Sequence, residues 1–142
     1  MIAVIDTSYH QFGLAPIDVA PVANIEPPDE LMSFADDDTV AAVVVGVGVR
    51  DGRVEVSITT DPDEPWGPVE DEAEVMLDIT EDLWLTSPTT ENDLDLAFSP
   101  STAGLHHVRV RARGRWDNVD LSVDGREPVE WYQIAIWPDA EA

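Results

Sequence analysis

The 142 residues include no cysteine and no lysine, and only seven bases, all arginine, stand against 30 acids. Without cysteine there is no disulfide framework and no thiolate chemistry, which points to the cytoplasm. The shortage of bases leaves a net charge of −23. Such a field repels phosphate, so nucleic acid and anionic membrane are excluded as direct partners and a basic protein is the expected one. The exclusive use of arginine reads as genomic base composition. Histidine is also scarce, limited to His10, His106 and His107. There is no Gly-x-Ser-x-Gly turn and no glycine-rich phosphate loop. His106 and His107 are adjacent, so on a strand they point to opposite faces and cannot share a metal. Among 30 acids some close carboxylate pair is inevitable, so a paired-acid mechanism gains no weight from one. The chain is read as a non-enzyme without a cofactor.

Long apolar runs are missing as well. The longest, Val40 to Val49, contains two glycines and is far shorter than the roughly 20 residues that span a bilayer. It reads as a central strand covered on both faces. The first six residues have no basic segment before their apolar stretch and do not read as a signal peptide. No window sustains a helical period, although Asp29 to Phe34 allows a short helical turn.

What the chain does have is period-two alternation. Ile2 to Ile5 and Tyr9 to Ala15 read as an opening strand, with a break at Asp6-Thr7. Val54, Val56 and Ile58 alternate with polar residues, as do Val75, Leu77 and Ile79, and Val108, Val110 and Ala112. Leu83 to Thr86 adds a short strand, Leu94 to Phe98 an edge strand, and Val129 to Trp137 the last one. Asp51-Gly52 is a two-residue hairpin signal. Proline- and glycine-rich turns separate these segments. The expected fold is all-β, a single-domain antiparallel β-sandwich of six to eight strands over residues 1–142.

The opening strand carries Ser8-Tyr9-His10-Gln11-Phe12. This pentapeptide resembles the start of the competence protein J family, small inhibitors that bind a DNA-entry nuclease. The C-terminal part resembles a group of uncharacterised bacterial proteins, in which a Gly-x-x-x-Val-Arg-Val strand (here Gly104 to Val110) precedes a last strand ending in Trp-Pro (here Trp137-Pro138). The stretch from Pro16 to Ala103 carries none of this likeness. The resemblance implies a compact, β-rich, non-enzymatic inhibitor of a DNase, and it transfers no contact residues.

Charge supplies the candidate surface. Of the 30 acids, 23 precede Leu105, together with only two of the seven arginines. Acidic clusters at Asp36, Asp37 and Asp38, and at Asp61, Asp63, Glu64, Glu70, Asp71 and Glu72, could pair with the cations by which a nuclease grips DNA. Trp66, between prolines, is the candidate aromatic anchor, because aromatics concentrate at interface centres. Tyr9 and Gln11 share one strand face and form a second candidate pair. His10 and Phe12 would then point inward, with His10 held by a carbonyl or carboxylate. The expected function is binding and inhibition of a basic nuclease or nuclease-type toxin, with the oligomeric state open.

Two other readings remain. Acidic loops on a β-sandwich can collect calcium or another ligand, although Asp61, Asp63 and Glu72 at positions one, three and twelve of a loop meet Pro65 and Trp66 where the EF-hand needs a ligand and a glycine. Alternatively, the charge serves only solubility in an acid-rich proteome. The arginine row Arg109, Arg111 and Arg113, with Arg115 beyond it, is expected to pair across strands with carboxylates such as Glu130. Trp131 and Trp137 share a face of the last strand, read as the core face.

Overall fold

Alternating burial along β-branched segments produces ten strands in the computed structural model. The structure describes residues 2–7, 10–16, 31–34, 42–87, 90–123, 125 and 127–140, with the side chains of residue 87 and residues 90–96 excepted. In chain order the strands are β1 (Ile2–Thr7), β2 (Gln11–Ala15), β3 (Met32–Phe34), β4 (Val43–Gly46), β5 (Gly52–Thr59), β6 (Asp71–Ile79), β7 (Leu83–Ser87), β8 (Thr90–Phe98), β9 (Gly104–Arg113) and β10 (Glu130–Pro138). They form two five-stranded sheets, ordered β1-β5-β10-β9-β6 and β3-β4-β2-β7-β8. Pairing is antiparallel except between β5 and β10, which run parallel. The expected all-β sandwich is borne out, with ten strands among the described residues in place of six to eight.

The inward faces of the two sheets meet in one core. Val54, Val56, Ile58, Val108, Val110, Ile134 and Ile136 come from the first sheet, and Phe12, Leu14, Val43, Val45, Leu83 and Leu85 from the second. Phe12 meets Tyr132 edge-to-face across the interface, with ring centroids 5.2 Å apart. Val43, Val44 and Val45 are all fully buried, as expected of a central strand.

Four local expectations are corrected. The opening segment is two strands in different sheets. The chain turns at His10, which has φ 60°, so the break follows Thr7 and does not fall on Asp6-Thr7. The proposed helical turn is strand from Met32 to Phe34, paired with β4. Asp51-Gly52 makes no hairpin, because β4 and β5 belong to different sheets and Gly52 needs no positive φ. The edge strand begins at Thr90, four residues before Leu94.

The failed hairpin has a physical cause. After β4 the backbone N–H groups of Gly48 and Val49 leave the ladder and donate to the buried Glu130 carboxylate, at 3.0 and 2.6 Å. Leu121 and Asp120 then tie a second loop to this corner through bonds to Arg50 and Gly48. The two backbones cross so closely that a Cβ on Gly48 would lie 1.6 Å from the Arg115 carbonyl oxygen. Only glycine fits there.

Candidate functional site

The outer face of the first sheet and the loop preceding β6 together hold the second acidic cluster. Glu72 lies opposite Arg111 across β6 and β9, and Glu74 lies opposite Arg109. Glu72 pairs with both Arg109 (3.6 Å) and Arg111 (3.4 Å). The 61–70 loop folds back over this face, so that Arg109 also donates to the Pro62 carbonyl at 2.8 Å. Arg113 lies 4.6 Å from the Trp66 ring centroid and 5.7 Å from that of Trp131. Trp66 is consequently half-buried against a guanidinium and is not a free anchor.

The acids of the loop divide into two groups. Asp61, Asp63 and Glu64 are exposed, with Asp61 Oδ1 accepting the Asp63 N–H at 2.9 Å in an Asx turn. Glu70, Asp71 and Glu72 are engaged in structure. Glu70 accepts the Gly114 N–H at 2.8 Å. Asp71 Oδ2 accepts from Arg115 at 3.2 Å and from the Trp116 indole at 3.0 Å. Gln11 is only 8% exposed, so it is not part of an exposed pair on β2. Tyr9, Asp36, Asp37 and Asp38 lie outside the described residues.

Two further side-chain expectations are revised. Trp131 and Trp137 do share a face, but it is the outer one. The register of β10 sends Tyr132, Ile134 and Ile136 inward, and arginines cover the indoles from outside, with Arg109 5.3 Å from Trp137. Glu130 does not pair across the strands with Arg109, Arg111 or Arg113, the first two of which pair with Glu72; only the field of Arg115 reaches it. It is fully buried, bonded to Gly48, Val49 and the Tyr132 hydroxyl. Burial pushes its pKa up, and the bonds from Tyr132, Val49 and Gly48 and the field of Arg115 oppose that rise. Tyr132 is raised well above the ordinary phenol value, first by burial and then by the Glu130 charge.

The three histidines are structural. His10 donates from Nδ1 to the Val47 carbonyl at 3.4 Å and pairs through Nε2 with Asp120 at 3.2 Å, which bears out the expected partners, but it lies partly exposed in the turn before β2 and does not point inward beside Phe12. His106 is buried, with Nδ1 2.7 Å from the Gly104 carbonyl. His107 lies on the outer face between Glu74 (3.1 Å) and Asp139 (3.4 Å), stacked on Trp137 at 5.0 Å. The hydrogen bond to Glu74 raises its pKa above the ordinary value. Among the described residues, no group of three or more histidines and carboxylates is placed to hold a metal ion.

Sequence reasoning missed the Arg115–Asp71–Trp116 cluster and the buried Glu130. A signal for Glu130 was present, because it continues the inward period of Tyr132, Ile134 and Ile136. Trp116 gave no such sign, since it lies in a loop outside any alternating segment.

No family model matches the sequence, and no curated protein matches it. Among solved structures the chain is similar to ComJ from Bacillus subtilis, described as an inhibitor of the DNA-degrading activity of NucA. The TM-score is 0.68 at 18% identity, over 98% of this chain and 96% of that one. The resemblance noted at Ser8 to Phe12 is thus borne out at the level of the fold, which the chain shares with an inhibitor of a nuclease.

Proposed function

We propose that the protein is a non-enzymatic inhibitor that binds a basic nuclease, or a nuclease-type toxin, and covers the surface by which that enzyme holds DNA. The observation that carries this reading is the ComJ-like fold along 98% of the chain, on a molecule of net charge −23. In this reading the exposed carboxylates, Asp63 and Glu64 among them, take the place of DNA phosphates on the enzyme. Their main effect is on encounter: complementary fields raise association rates from about 10⁵–10⁶ to as much as 10⁸–10⁹ M⁻¹s⁻¹ at low salt.

The test is inhibition of DNA cleavage by the host's own nucleases, with association rates measured across salt. Inhibition should be stoichiometric, and the on-rate should fall steeply as the screening length shrinks from about 30 Å at 0.01 M toward 8 Å at 0.15 M. No inhibition at micromolar protein would refute the reading. An on-rate indifferent to salt would refute its electrostatic part alone.

A further inference from the structure

One end of the sandwich carries an aromatic plate on an acidic support. The β9 strand ends at Arg113, and the loop that follows presents Trp116 at 51% exposure and Leu121 at 52%. Tryptophan is among the side chains most enriched at interface hot spots, and here it is exposed on a fixed loop. The indole is not free to wander. Its N–H is held by Asp71, and the same carboxylate oxygen is anchored by Arg115, itself only 1% exposed. The loop is fixed from the other side by Asp120 N–H to the Gly48 carbonyl, Arg50 N–H to the Leu121 carbonyl and the His10–Asp120 pair. With the indole N–H already satisfied, what Trp116 has left to offer is its apolar face, held in place before any partner arrives.

Resting on the inhibitor reading, we infer that this Trp116 end of the sandwich is the docking surface, and that its occupant is the basic nuclease. The exposed acids Asp117 and Asp120 share the loop with Trp116, and exposed Glu70 is bonded to Gly114 at its start. An apolar plate with an acidic rim matches a cationic cleft beside an apolar pocket. Trp66, the anchor expected from sequence, is covered by Arg113.

The probes are purified NucA and the host's own DNA-degrading nucleases. Trp116→Ala should weaken binding by at least about 30-fold, the threshold of a hot spot, with an unchanged melting curve. Ile2→Ala, exposed at the opposite end of β1, should leave affinity unchanged. If the wild type inhibits while Trp116→Ala binds within about threefold of it, the docking inference fails and the inhibitor reading stands. Equal losses in both variants would also overturn the inference. A wild type that inhibits none of the probes overturns both. A wild type that self-associates, with a monomeric Trp116→Ala, assigns the surface to a second copy of the chain instead.

Discussion

Replacing Glu130 by glutamine tests the corner on which the two sheets are joined. The carboxylate accepts three hydrogen bonds, from Gly48 N–H and the Tyr132 hydroxyl on Oε1 and from Val49 N–H on Oε2. An amide has one acceptor oxygen and a nitrogen that only donates. With its oxygen at the doubly used position, its nitrogen faces the Val49 N–H, which loses its partner inside the protein. A buried donor left unpaired costs about 1–3 kcal/mol. For a chain of this size that lowers the melting temperature by roughly 3–10 °C. The dependence on pH is the sharper reading. Because the folded pKa of Glu130 lies above the ordinary 4.5, the protonated form favours the fold. Its contribution is full below the unfolded value and is lost as pH rises through the folded one. The hydroxyl oxygen of a protonated carboxyl still accepts, which an amide nitrogen cannot do. The gap between wild type and Glu130→Gln should therefore be widest at the acid end and narrow as pH rises. Scanning calorimetry of both proteins from acid to neutral pH measures it. Equal melting temperatures, or a gap that widens with pH, would refute the reasoning.

Gly48→Ala should destabilise by about 3 kcal/mol in urea unfolding, since the new methyl meets the Arg115 backbone rather than a yielding side chain; a wild-type midpoint would mean that the two backbones do not cross this closely. The His107 imidazole should titrate above 6.5 by NMR, and Glu74→Gln should bring it down, because the bond to Glu74 is the largest cause of the rise. The sign follows from linkage: stability from protonated His107 is present below 6.5 and is lost as pH rises through the folded pKa, and an unshifted titration in Glu74→Gln would remove Glu74 as the cause.

The sheets were legible because alternation is a local signal. Val54, Val56 and Ile58, or Val108, Val110 and Ala112, report their inward face whatever they pair with. Pairing itself is not local. Asp51-Gly52 has the composition of a hairpin turn, but the Glu130 carboxylate, 81 residues from Val49 in the chain, draws the corner off the ladder. The same limit explains the tryptophans. The six-residue spacing of Trp131 and Trp137 establishes that they share a face, and only the arginines of β9 and the returning loop decide that it is the outer one. Gln11 was misplaced because the strand holding it lies between β4 and β7, where both faces of β2 are buried.

The distribution of the arginines bears on how the charge acts. Six of the seven are described, and five of these make ion pairs within the protein: Arg50 with Asp51, Arg53 with Asp6, Arg109 and Arg111 with Glu72, and Arg115 with Asp71. The sixth, Arg113, stacks on Trp66 and Trp131. The exposed pairs of Arg50 and Arg53 add little stability individually, so their consequence is electrostatic placement. Each described arginine is drawn toward a particular carboxylate or indole, and Arg109, Arg111 and Arg113 lie in one row on β9, where the 61–70 loop returns over them. The exposed acids Asp63, Glu64 and Asp117 form no ion pair with any described arginine. Among the described residues, an incoming cation therefore meets these carboxylates without a competing arginine, over distances set by the ionic strength.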